Sequence, residues 1–156
     1  MLNNGYKFDS NGDLITTDVY IVWGCPGSGK TTYVKKHMEH GDMIVDLDLI
    51  KQSLSMMDKT GAGDNLLQTA LTIRELLYDL ISRREVNCNN VWVVSGLPDA
   101  DERNVLAYRL KTDKLIYIEA TKQQCIDRAM NDKDRKDKEI QLKIIDKWFN
   151  KFYAEE

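Results

Sequence analysis

Cysteine, proline and histidine are all scarce in this chain of 156 residues, with three, two and two copies. The cysteines, Cys25, Cys88 and Cys125, are odd in number and lack metal-type spacing, so neither a disulfide framework nor a zinc site is indicated. No apolar run approaches the ~18 residues of a membrane span, and the opening stretch MLNNGYKFDSNGD is polar. A soluble cytoplasmic protein with no membrane partner is therefore expected. An excess of either charge is missing too. With 22 basic against 25 acidic residues the net charge is -3, which excludes a broad basic surface tracking a nucleic-acid backbone but leaves room for a local basic groove. No repeat, linker or low-complexity tract divides the chain, and residues 1–156 are expected to form one domain.

What is present is 42% apolar and 30% charged residues, a globular balance. Four short runs rich in β-branched and aromatic residues read as buried strands: Val19 to Trp23, Met43 to Asp46, Val91 to Ser95 and Leu115 to Ile118. Helical patterns alternate with them. Thr31 to His40 ends before Gly41; Leu66, Ala70, Ile73, Leu77 and Ile81 recur at helical spacing after Asp64, a candidate N-cap; Asp99 to Leu110 follows. The last helix carries Ile140, Ile144, Ile145, Trp148, Phe149 and Phe152 on one stripe, expected to pack in the core. Such alternation gives an α/β class with a mainly parallel sheet flanked by helices. Residues 1–18 form either a hairpin against the sheet edge or a loose tail.

The first strand runs straight into GCPGSGKTT, Gly24 to Thr32. Gly24, Gly29, Lys30 and Thr31 satisfy the P-loop spacing, and the strand before and helix after supply the required context. In such a loop (Gly24, Cys25, Pro26, Gly27, Ser28, Gly29, Lys30, Thr31 and Thr32) backbone N–H groups turn inward around an anion, aided by the dipole of the following helix. Lys30 is expected to reach the β and γ phosphates of ATP, and the Thr31 hydroxyl to coordinate Mg²⁺. Cys25 reads as a small residue packed in the loop rather than a redox centre.

Hydrolytic relatives of this loop carry an acid at the end of a second apolar strand, whereas VWVVS ends in Ser95 and Gly96. Carboxylates appear instead at Asp46 and Asp48, two residues apart at a strand end, on one face if the strand continues. A kinase needs a carboxylate there to accept the proton of the incoming hydroxyl. The structural alternative is that one Asp caps the helix starting near Leu49. Phosphatases that begin Asp-x-Asp need a small turn after the second Asp, which Leu49-Ile50 does not supply. Farther on, Arg128 and Arg135 flank the charged stretch NDKDRKDKE. By itself that stretch reads as a solvated linker; beside a P-loop and an Asp pair, residues 128–139 read as a short lid whose arginines meet the transferring phosphoryl group.

Taken together, GCPGSGKTTY, DLDLIKQSL and PDADERN resemble the kinase domain of phage-type polynucleotide 5′-kinases and the wider group of small P-loop kinases, over Val19 to roughly Arg135. The resemblance implies a kinase-type P-loop NTPase fold, with Asp48 as general base, Lys51 as acceptor-side cation, Arg128 and Arg135 as lid arginines, and Glu102 and Arg103 in the turn after the third strand. Leu49 stands where that group has a second acid, Lys51 where it has Arg, and Gly96-Leu97 where it has an acidic and polar pair. Lys does not reproduce bidentate phosphate recognition. The expected activity is transfer of the γ-phosphate of ATP to a hydroxyl, on a nucleic-acid 5′ end or a nucleotide, with Asp46, Lys51 and Arg103 on the acceptor side. A nucleoside monophosphate or small-metabolite kinase is the enzymatic alternative. A nucleotide-sensing module that docks a partner through WFNKFY is the non-catalytic one.

Overall fold

In the computed structural model, residues 7–8, 10–57, 63–135 and 137–154 are described. Lys7–Phe8 (β1) and Leu14–Ile15 (β2) pair antiparallel around a turn in which Gly12 takes φ +83°. This hairpin is a two-stranded sheet of its own and does not extend the main sheet edge. The β-branched runs form the main sheet: Asp18–Trp23 (β3), Met43–Val45 (β4), Asn90–Ser95 (β5) and Lys114–Tyr117 (β6). All its pairings are parallel, in the order β4, β5, β3, β6.

The two central strands are covered on both faces, which is why they read as nearly continuous apolar runs. Val19, Ile21, Val91 and Val93 share one core cluster with Tyr78, Ile81 and Leu110. Val22, Trp92 and Val94, one residue out of phase, share another with Val34. The helices that supply these partners are Lys30–His37 (α1), Leu47–Ser55 (α2), Leu67–Ser82 (α3) and Ala100–Leu110 (α4). Lys122–Asn131 (α5) and Lys138–Tyr153 (α6) pack on each other and close a third cluster, in which Cys25 of the glycine-rich loop meets Cys125, Trp148 and Phe149.

Local chemistry explains where the elements depart from the sequence pattern. The first helix stops at His37 because Met38 is already extended, well before Gly41. β4 stops at Val45 because Asp46 leaves the strand to cap α2, its side chain accepting from Leu49 N–H at 3.1 Å. Asp46 and Asp48 are therefore not alternate residues of one strand; they are the cap and the first turn of a helix. Asp64 opens a short 3₁₀ turn, Asp64–Leu66, instead of capping α3. Along α6 the expected core stripe divides: Ile145, Trp148 and Phe149 are buried, whereas Ile140 and Ile144 remain about half exposed, at 50% and 43%.

Candidate active site

The chain leaves β3 at Gly24 beside the end of β5, between strands whose onward connections run to opposite edges of the sheet, the place where open α/β sheets bind ligands. Backbone geometry there demands glycine. Gly24 has φ +154°, and a Cβ on it would lie 2.7 Å from the Ile118 carbonyl oxygen and 2.9 Å from Ser28 Oγ. Gly24→Ala is expected to destabilise the fold by about 1–3 kcal/mol, through backbone strain and a clash with main chain that has nowhere to move. Thermal unfolding measures it, at roughly 2–4 °C per kcal/mol for a chain of this size.

Residues Pro26 to Thr32 line a cleft of about 1180 Å³, with Gly24 and Cys25 beneath them. The Cys25 thiol, 1% exposed, donates to the Pro26 carbonyl at 3.3 Å, and its interaction with the Cys125 thiol, followed by burial, pushes it well up, which suits a packed residue and not a reactive thiolate. Lys30 arches back over the loop, its Nζ donating to the carbonyls of Gly24 and Cys25, each at 2.9 Å. Burial brings Lys30 down to about 8; the Asp46 carboxylate works against that shift and the Arg135 guanidinium adds to it. Asp46 and Arg135 thus both lie within electrostatic reach of Lys30.

The opposite wall of the cleft comes from α2 and α3. Asp46, Leu47, Asp48, Leu49, Lys51 and Gln52 all line it. Burial, together with the charge of Asp48, holds the Asp46 carboxyl above its usual range, and the Leu49 N–H and Lys30 oppose the shift. Asp48 is exposed in the first turn of α2. The two carboxylates are divided by environment, one a half-buried cap facing Lys30 and the other exposed on the cleft wall.

Arg128 sits on α5, donating through Nη1 to the carbonyls of Gly27 and Ser28 at 2.9 Å each. It braces the loop from a helix. Arg135 lies in the link between α5 and α6, its Nε on Asp132 at 3.2 Å and its Nη1 on the buried Gln141 at 2.6 Å. The link is tied down at both ends, because Lys138 donates to the Ala129 and Asp132 carbonyls and Asp137 caps α6. Both arginines line the cleft. Arg103 does not; its Nη1 holds the Leu97 and Pro98 carbonyls at 2.6 and 2.8 Å, and its guanidinium lies 3.9 Å over the Trp23 ring. That arrangement fixes the turn after β5, where Leu97 takes φ +45°.

The donor set fits Mg²⁺. Its atoms are the Thr31 hydroxyl and the Asp46 carboxylate, both hard oxygens on the cleft lining, and no cluster of three His, Cys, Asp or Glu side chains is found among the described residues. A few protein oxygens completed by substrate phosphates is the usual way this ion is held. Among the cleft residues not singled out by motif are Arg74 on α3 and Ile140, Gln141 and Ile144 on α6. Arg74 had a readable signal: it lies four residues after Ala70 and four before Tyr78, both buried, so it occupies the apolar stripe itself.

No curated protein matches the chain in sequence. Among solved structures it is similar to the Pnkp1/Rnl/Hen1 RNA repair complex, with a TM-score of 0.67 at 16% identity over 94% of this chain, and spans 47% of that structure's chain, about half its length. It is also similar to shikimate kinase from Acinetobacter baumannii in complex with shikimate, with a TM-score of 0.51 at 19% identity, over 90% of this chain and 80% of that one. At these identities the likeness concerns the fold. A family model described as an AAA domain matches residues 19–154, from the first residues of β3 to the end of α6. The chain therefore belongs to the AAA domain family, with a kinase-like P-loop fold.

Proposed function

We propose that the chain is an ATP- and Mg²⁺-dependent kinase that transfers the γ-phosphate to the 5′-hydroxyl of a nucleic acid. The observation that carries this reading is the exposed Asp48 carboxylate, placed on the wall facing a phosphate loop in a cleft too large for one nucleotide. Asp48 accepts the hydroxyl proton as that oxygen bonds to the γ-phosphorus. The bond from phosphorus to the bridging oxygen breaks, and ADP leaves with the electron pair. Lys30 compensates charge on the β and γ phosphates, and Arg135 meets the charge that spreads over the transferring group. Thr31 would hold Mg²⁺, which would supply charge neutralisation at the phosphates. Arg128 keeps the loop carbonyls turned away from the phosphates, leaving the N–H groups facing them. Lys51 and Asp46 order the acceptor side, with residues 128–139 acting as the lid. The likeness to an RNA repair complex and the DLDLIKQSL resemblance both favour a nucleic-acid end as acceptor.

Arg135→Ala is expected to lower turnover more than ATP affinity, because its contact strengthens in the transition state. Steady-state kinetics with separate KM values reads this directly; a raised KM for ATP with unchanged kcat would make Arg135 a ground-state ligand. The acceptor is tested by offering short 5′-hydroxyl oligonucleotides, nucleoside monophosphates and shikimate in parallel with labelled ATP. Transfer to oligonucleotides is the expected result. Transfer only to a small molecule would replace the nucleic-acid reading, and ATP binding with no transfer would favour a sensing module.

A further inference from the structure

Two of the three cysteines meet beneath the floor of the cleft. Cys25 in the glycine-rich loop and Cys125 on α5 are 1% and 0% exposed and belong to one core cluster with Trp148 and Phe149. Their thiols share a hydrogen bond. The backbones approach at the same place: a Cβ on Gly27, two residues after Cys25, would stand 3.4 Å from the Cys125 carbonyl oxygen. Arg128, one turn farther along α5, holds the Gly27 and Ser28 carbonyls. The loop is thus seated on the turn of α5 that carries a thiol. Cys88, in contrast, packs against a different cluster, with Tyr78 and Ile81.

Taken alone, Cys25 is a packed thiol; beside Cys125 it is half of a pair whose members differ. The hydrogen bond with Cys25 holds Cys125 below its ordinary value, and the Arg128 and Lys30 charges add to that, while burial works against it. Cys25 is pushed the other way by the same bond and by its own burial. One sulfur favours the thiolate and the other keeps its proton, which suits an attacking and a resolving cysteine.

We propose that Cys25 and Cys125 form a peroxide-responsive disulfide that closes the phosphate loop to nucleotide. Pro26, Gly27 and Ala129 line the cleft above the pair, and a peroxide, close to water in size, reaches the thiols through small local openings of the loop. The Cys125 thiolate attacks one peroxide oxygen; the O–O bond breaks, leaving a sulfenic acid, and the departing hydroxide takes up the proton that Cys125 had released. The Cys25 sulfur then attacks the Cys125 sulfur, the S–OH bond breaks, and the leaving hydroxide takes the Cys25 proton. Two thiols and one hydrogen peroxide give one disulfide and two waters. A sulfur–sulfur bond of about 2 Å is shorter than a hydrogen-bonded contact between thiols, so loop and helix have to close on each other. α5 is fixed by its capping box at Thr121 and Gln124, one turn before Cys125, which leaves the loop to move. The Cys25 carbonyl accepts from Lys30 Nζ and from Ser28 N–H, both at 2.9 Å, so displacing it unseats the loop.

The full chain is reduced, treated with hydrogen peroxide, then unfolded, alkylated and mapped by mass spectrometry, with ATP affinity titrated before and after oxidation. The expected product is a Cys25–Cys125 linked peptide pair lighter by two hydrogens, with Cys88 alkylated. ATP affinity is expected to fall about 10–100-fold, the reach of an ångström-scale misplacement in a site, and to return with dithiothreitol. Cys125→Ser is expected to keep its ATP affinity through the same treatment, and the link in the native chain is read directly even if that variant folds poorly. Nucleotide binding and not transfer is the readout, so the result is independent of the acceptor and of Asp48. Both thiols still alkylated after peroxide, oxidation that runs to sulfinic acid, linkage through Cys88, or a Cys25–Cys125 bond that leaves ATP affinity unchanged would overturn the proposal.

Discussion

Asp48→Asn is expected to lower phosphoryl transfer by about 10²–10⁴ while ATP affinity stays near its native value, the usual reach of a positioned general base. The amide keeps the size and exposed position of the carboxylate in the first turn of α2. It loses only the capacity to take a proton. Asp46→Asn acts differently, because Asp46 is the cap of α2 and faces Lys30. Its amide oxygen still accepts from Leu49 N–H, so stability changes little, and transfer falls less than in Asp48→Asn. Paired kinetics on the two variants measures the ranking; the reverse order would move the base to Asp46.

Lys30→Ala is expected to cost about 10²–10³ in turnover, the scale on which one preorganised donor to a developing charge acts in a site that excludes water. Its pH dependence adds a second signature. Burial holds Lys30 near 8, so a fraction of the free chain carries a neutral amine in mildly alkaline solution. Bound nucleotide phosphates favour the ammonium and raise its pKa again. The complex then holds more protons than the free chain, and ATP affinity falls as pH rises through about 8. Titrating ATP from pH 7 to pH 10 reads the slope, which should flatten in Lys30→Ala; an unchanged slope in that variant would assign the titration to another group.

The strands and the phosphate loop were legible because their signals are local. β-branched runs specify strands, and Gly24, Gly29, Lys30 and Thr31 specify the turn into α1. Asp48 and Lys51 line the cleft, presented by a helix capped at Asp46 and not by an extended strand. What the sequence hid depends on tertiary packing. Ile140 and Ile144 share the helical stripe of the buried Ile145, Trp148 and Phe149, yet they stay half exposed on the cleft wall. Arg103 carries a residue type suited to phosphate, yet two nearby carbonyls and the Trp23 ring claim it first. Arg74 was passed over because a single arginine in an amphipathic helix is ordinary until its neighbours four residues away prove buried.

The most direct measurement mixes the full chain with ATP labelled at the γ-phosphate, Mg²⁺ and a short single-stranded oligonucleotide bearing a free 5′-hydroxyl, and locates the label after digestion to mononucleotides. The account predicts that label appears on the 5′ oxygen of the terminal nucleotide, that inorganic phosphate is a minor product, and that Asp48→Asn cuts the signal by about 10²–10⁴ while still binding ATP. Label released only as inorganic phosphate, or 5′ labelling that persists undiminished in Asp48→Asn, would contradict it.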